Sequence, residues 1–228
     1  MIDHYDWAGG REAMLRFGPD TGPVVVMLPA LFEEHNRTRA FTVAICRALA
    51  ESRVASILPD LPGQGESVVP TQDATLDHWR KAVAALVQAQ RAVRPVIMGS
   101  MRGSAIIDDV PGVSGHWRLS PITGQMVIRD LTRGAVMQSS LTAAPIGDPV
   151  EVAGNLISHN LFGALQADAT LREGTAPLRT VRLESDPAPA DLKLPGSPLW
   201  RRAEPGNDLP LAALLAQDLA AWSHQCAG

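Results

Sequence analysis

Three short apolar runs, each followed by a loop and then a helical pattern, constrain this chain more than any other feature. Pro23-Val24-Val25-Val26-Met27-Leu28 is continuous and β-branched, and Val54-Ala55-Ser56-Ile57-Leu58 repeats the type. Pro95-Val96-Ile97-Met98 runs directly into Gly99-Ser100-Met101-Arg102-Gly103. A strand without polar alternation is covered on both faces, as in a parallel sheet flanked by helices. The intervening helices are legible as well. Phe41, Ile45, Ala48 and Leu49 recur at helical spacing after a loop at 30–36, and Leu76, Trp79, Val83 and Leu86 recur over 75–91, with Asp73 or Thr75 as the cap. Strands alternating with helices in this way predict right-handed crossovers and a doubly wound, mostly parallel sheet.

The third run ends on a glycine-flanked turn with the outline of a nucleophile elbow, G-x-nucleophile-x-G. By that spacing Met101 occupies the nucleophile position. A thioether has no proton to give up and cannot replace a hydroxyl or a thiolate. The helix after the turn is expected to be short, because Asp108-Asp109-Val110-Pro111-Gly112 interrupts it.

Later elements are less regular. Arg11 to Phe17 and Trp117-Arg118-Leu119 read as strands, as does Leu178-Arg179-Thr180-Val181-Arg182-Leu183, with a short candidate strand around Leu199. The β/α rhythm lapses over 125–175, where helical patterns at 127–137 and 156–169 flank a Pro/Gly-rich segment; such an insertion lies over strand C-termini as a cap or lid. The last helix starts near Asn207-Asp208, with Pro210 in its first turn. Residues 1–228 thus form one domain, with the cap at 125–175 inserted in it.

Composition excludes several function classes. A net charge of −4 with no dense Lys/Arg run argues against a nucleic-acid surface. No run approaches the ~18 apolar residues that span a bilayer, and Met1-Ile2-Asp3-His4-Tyr5-Asp6 is too polar for a signal peptide. Cys46 and Cys226 are distant and unpatterned, which fits free thiols in a cytoplasmic protein. Glu33 and Glu34 beside His35 lack a converging third metal ligand, and Gly63-Gln64-Gly65 lacks the Lys-Ser/Thr of a phosphate loop. No metal and no cofactor are expected.

Three segments together resemble an α/β-hydrolase: the strand and loop at 23–36, the D-x-x-G-x-G-x-S loop Asp60-Leu61-Pro62-Gly63-Gln64-Gly65-Glu66-Ser67, and the turn at 99–103. A narrower resemblance extends along the chain. Phe32-Glu33-Glu34-His35-Asn36-Arg37-Thr38-Arg39, the segment from Trp117 to Gly124, Val150-Glu151-Val152-Ala153-Gly154 and Leu194-Pro195-Gly196-Ser197-Pro198-Leu199-Trp200 are similar to motifs of the exosortase A system-associated hydrolases, type 2. The resemblance implies an α/β-hydrolase fold with a small helical cap and a link to exopolysaccharide production.

A working site of this kind needs a nucleophile, a base, an acid and oxyanion donors. Ser100 stands one residue before Met101 and reads either as a structural residue of the turn or as a displaced nucleophile. The expected base loop, between Leu199 and Asp208, holds no histidine; His35 is the remaining candidate, while His116, His159 and His224 have no supporting pattern. Asp186 fits the slot of the acid, with Asp191 second, although an Asp-Pro there also makes a turn. Leu31 and Arg102 supply the oxyanion amides by position, and Glu33, Glu34 and Asn36 lie on the adjacent loop. The leading expectation is therefore a degenerate, non-catalytic binding or accessory protein for a small acyl- or saccharide-like ligand, with a protein partner or a homodimer left open. The alternative is an active serine esterase or thioesterase using Ser100.

Overall fold

The computed structural model describes residues 1–133, 149–167, 171 and 174–228. Its centre is an eight-stranded sheet. In chain order the elements are β1 (Ile2–Trp7), β2 (Gly10–Phe17), β3 (Val24–Leu28), α1 (Glu33–Glu51), β4 (Ala55–Pro59), α2 (Leu76–Arg91), β5 (Val96–Met101), β6 (Gly115–Leu119), α3 (Gly124–Arg133), β7 (Val150–Val152), β8 (Asn155–Ile157), α4 (His159–Ala167), β9 (Leu178–Leu183), β10 (Leu192–Leu194) and α5 (Leu209–Ala227). The sheet order is β1-β2-β4-β3-β5-β6-β9-β10, and β7 and β8 form a separate hairpin. β2 is antiparallel to both of its neighbours, and the remaining six strands of this sheet, β4, β3, β5, β6, β9 and β10, run parallel.

The reason for this architecture is the burial of the central strands. Every residue of β3, β4, β5 and β6 is buried. Alternate side chains feed two cores: Val24, Val26, Val96 and Met98 pack with α2 and the cap helices, while Val25, Met27, Ile97 and Met101 pack with α1 and α5. Thr75 caps α2 by accepting from the His78 amide at 3.0 Å, and Asp208 caps α5 through the Leu211 amide at 3.0 Å. The helix after β5 is reduced to a 3₁₀ turn, Arg102–Ile106.

Four expectations need correction. β1 adds an edge strand that a polar N-terminus conceals; only Tyr5 and Trp7 of it are buried. α1 begins at Glu33, inside the segment read as a loop. The cap contains a hairpin, so Leu156 is on β8 and not in a helix; Ala153 and Gly154 both take positive φ, 51° and 77°, which closes a two-residue turn. Leu199 lies in a 3₁₀ turn, Leu199–Arg201, directly after Pro198, and the eighth strand is β10. The helical patterns at 127–137 and 156–169 appear as α3 and α4, and the parts at 134–137 and 168–169 lie outside the described residues. No helix among the described residues is long and apolar enough to cross a membrane.

Candidate functional site

β3 and β5 are neighbours at the point where the strand order reverses, and the loops leaving their C-terminal ends open the crevice where such sheets bind ligands. Three residues just beyond these strand ends take left-handed backbone: Phe32 after β3 (φ 54°), Arg102 after β5 (φ 59°) and Ser120 after β6 (φ 45°). Non-glycine residues in this region carry roughly 1–3 kcal/mol of strain each and gather at functional sites. Met101 is not among them. It is extended (φ −115°, ψ 124°), belongs to β5, and is buried in the core under α1 and α5. The apex of the elbow is Arg102, one residue later than the glycine spacing predicts. Alternation along β5 explains the shift, since Ile97, Gly99 and Met101 all face the α1/α5 side.

The turn is held from below. The Ser104 hydroxyl accepts from the Met101 amide at 3.0 Å and donates to the Met101 carbonyl at 2.9 Å. The Arg102 guanidinium is 5% exposed and fully engaged. Its Nε and one terminal nitrogen donate to the Glu34 carboxylate at 3.0–3.2 Å, and the same terminal nitrogen donates to Asp130 at 3.0 Å. Burial pushes the Glu34 carboxyl above its ordinary pKa; the Arg102 charge opposes this and Asp130 adds to it.

Beside the apex lies a cavity of about 380 Å³ lined by Leu31, Gly103, Val127, Leu131, Ala153 and Trp200, with Glu33, Glu34, Asp130, Arg37, Arg133 and Arg201 around them. The cap contributes much of this wall. A Cβ on Gly103 would come 2.5 Å from Cγ2 of Val127 and 3.3 Å from Cδ1 of Leu31, so glycine is required where α3 closes on the elbow. Asn155 of the hairpin donates to Glu33 at 3.1 Å and ties cap to α1. A second cavity of about 290 Å³, lined by Arg102 and sharing Asp130, Trp200 and Arg201 with the first, reaches Arg182, Asp186 and Pro198.

No protein-family model matches the sequence, and no curated protein matches it. Solved structures do. Est1E from Butyrivibrio proteoclasticus, with ferulic acid bound, superposes with a TM-score of 0.68 at 17% identity, covering 98% of this chain and 99% of that one. Mouse alpha/beta hydrolase domain-containing protein 10 gives 0.66 at 14%, covering 99% of each. An esterase from Thermogutta terrifontis gives 0.57 at 13%, covering 100% of each. The fold is that of the α/β-hydrolases.

Within this α/β-hydrolase fold the expected site residues separate into two groups. Leu31, Glu33 and Glu34 line the cavity, with Arg102 bonded to its wall. The others lie elsewhere. Ser100 is fully buried, and its hydroxyl donates to Asp108 at 2.7 Å; Asp108 is itself clamped by Arg118 at 2.8 and 2.9 Å. His35 is buried against Arg39, whose guanidinium reaches its Nε2 at 3.1 Å. Burial, with the charge of Arg39, lowers its pKa to about 4. Asn36, on α1, is exposed and lines neither cavity. Asp186 accepts from Arg182 at 2.7 Å and from the Ala188 amide at 3.0 Å as a turn residue. Burial raises its pKa, but Ala188 and Arg182 outweigh that and leave it below the usual value. None of the six histidines lines either cavity.

The D-x-x-G-x-G loop turns out to brace the site. Gln64 accepts from the Phe32 amide at 2.8 Å. Asp60 accepts from Arg39 at 2.7 Å and from the Glu66 amide at 3.3 Å, and Gly65 (φ 61°) sits so close that a Cβ would reach the Asp60 carboxylate at 2.5 Å. Sequence reasoning missed Asp130, Arg37 and Trp200 as parts of the site. Trp200 was visible as the end of the P-G-S-P-L-W stretch and Arg37 as part of the segment from Phe32 to Arg39; Asp130 carried no local signal.

Proposed function

We propose that this chain is a degenerate, non-catalytic α/β-hydrolase-fold protein that binds a small acyl- or saccharide-type ligand. The motif resemblance at 32–39, 117–124, 150–154 and 194–200 supports a role as an accessory of exopolysaccharide or exosortase systems. One observation carries the reading: the residue at the elbow apex is Arg102, and its guanidinium is spent on Glu34 and Asp130. An arginine neither attacks a carbonyl nor relays a proton at neutral pH. The cavity next to it keeps a size within the range of small-ligand sites and is flanked by Leu31 and Gly103, the residues after the two strand ends.

The alternative, a serine esterase using Ser100, requires a base within hydrogen-bond reach of its hydroxyl. Among the described residues the one group in reach is Asp108, which Arg118 already clamps, and Ser100 is fully buried and lines neither cavity, so no ester can reach it. The test is turnover of acyl esters and thioesters at high protein concentration, together with fluorophosphonate labelling. No turnover and no label are expected; a label mapped to Ser100, with turnover abolished by Ser100→Ala, overturns the proposal.

A further inference from the structure

The charges around the cavity are not evenly paired: of its lining residues, the carboxylates all have donors, whereas two of the arginines lack an ion pair among the described residues. Each carboxylate in its wall already has a donor. Both Glu34 oxygens accept from Arg102, at distances of 3.0 to 3.2 Å. Asp130 accepts from Arg102 at 3.0 Å and from Arg133 at 3.4 Å. Glu33 accepts from Asn155 at 3.1 Å. The arginines divide differently. Arg102 and Arg133 are paired with these acids, whereas Arg37 and Arg201 form no ion pair among the described residues.

Arg37 donates one N–H to the Trp200 carbonyl at 3.2 Å, which sets its guanidinium beside the backbone of residue 201. The Arg37 charge reaches Glu34, lowering its pKa, yet no carboxylate among the described residues pairs with Arg37 or Arg201, and both residues line the cavity. Leu31, Val127, Leu131 and Ala153 supply an apolar surface in the same space. Planar, forked guanidinium donors match a carboxylate by parallel hydrogen bonds. With three wall carboxylates close by, a single negative charge is tolerated better than two, because like charges at short range in a partly desolvated site repel strongly.

We infer that the cavity binds a free carboxylic acid with an apolar body, its head group on Arg37 and Arg201 and its body against Leu31, Val127, Leu131 and Ala153. The inference rests on the non-hydrolytic reading of the site and selects the acyl-type ligand over the saccharide. The acid is held as such: no bond is made or broken. Its head lies on the Arg37 wall, so recognition does not need the backbone amides of the elbow.

The experiment is isothermal titration calorimetry on the full chain with octanoate, 1-octanol, octylammonium and octyl phosphate. Octanoate is expected to bind about tenfold or more tighter than 1-octanol, with octylammonium showing no binding and octyl phosphate weaker than octanoate. Arg37→Gln and Arg201→Gln should each weaken octanoate by about tenfold and leave 1-octanol unchanged. Arg201 is exposed, so its variant keeps the test valid if Arg37→Gln perturbs folding. Absence of octanoate binding, equal binding of octylammonium, preference for octyl phosphate, or an unchanged affinity in Arg201→Gln overturns the inference. Hydrolysis of 4-nitrophenyl octanoate by the same preparation overturns the non-hydrolytic reading whatever the titrations give. Loss of head-group preference without hydrolysis overturns only the assignment of the acid.

Discussion

The Arg102 guanidinium lies 4.9 Å from the centroid of the Trp200 ring, so the elbow apex is covered by a residue from the segment that leads into the last helix. Together with Glu34 from α1 and Asp130 from α3, this joins the sheet, the cap and the C-terminal region at one strained residue. A cation on an aromatic face adds attraction of about 1–2 kcal/mol when desolvated, which helps to offset the backbone strain.

Removal of Arg102 should therefore be costly, and the backbone should modulate the cost. Arg102→Ala leaves Glu34 and Asp130 facing each other without their cation, and a loss of about 3 kcal/mol is expected. Arg102→Gly loses the same side chain but relieves the left-handed φ, and should be less destabilised by about 1 kcal/mol. Chemical denaturation of the two variants checks this; equal stabilities would show that φ strain is not part of the balance.

Arg102→Ser places a hydroxyl at the apex and should still give no esterase activity. No histidine lines the adjacent cavity to take its proton. Measurable hydrolysis of a 4-nitrophenyl ester by this variant would mean that another group serves as base.

Ser100, Asp108 and Arg118 form a structural cluster, and their substitutions should rank accordingly. Ser100→Ala deletes one hydrogen bond to a carboxylate that keeps both contacts with Arg118, and should cost about 1 kcal/mol. Arg118→Met strands a carboxylate with no solvent exposure and should cost about 3–5 kcal/mol. Urea unfolding midpoints give the order directly, and a larger effect from Ser100→Ala would contradict it.

His35 makes stability depend on pH in a definite direction. Its pKa is about 4 when folded, against an ordinary value of 6.5, so the folded state resists the proton that the unfolded chain accepts. Its contribution is complete above pH 6.5 and is lost as pH falls toward 4, by at most about 3 kcal/mol. His35→Gln, which keeps an acceptor for Arg39, should flatten the stability profile across that window. An unchanged slope between pH 6.5 and 4 would assign the acid sensitivity elsewhere.

Gly103→Ala should push α3 away from the elbow, because the added methyl meets Val127 at 2.5 Å. A loss of about 1–3 kcal/mol is expected, and adding Val127→Ala should recover part of it. A double-mutant cycle with no coupling would place the strain somewhere other than this contact.

Much of the fold was legible because its signals are local. The runs at 24–28, 54–58 and 96–98, the helix spacing through Leu76 and Trp79, and the caps at Thr75 and Asp208 each depend on residues within a turn or two. β1 and the β7–β8 hairpin were not legible. In β1 the pairing with β2 decides the strand, and in the cap a turn through Ala153 and Gly154 overrides a helical pattern that included Leu156.

The sequence by itself determined a doubly wound sheet with an elbow after its third buried strand, because continuous apolar runs and helical periodicity admit few other arrangements. Only the tertiary structure decided which residue stands at the apex. Glycine spacing points to Met101, but the pleat of β5 sends Met101 into the core beneath α1 and α5, and the left-handed step falls on Arg102. Likewise, Glu34 and Trp200 stand in separate motif stretches and Asp130 in none, and nothing along the chain links the three. They meet around one guanidinium because long-range packing of α1, the cap and the C-terminal segment brings them there, and no local pattern encodes that meeting.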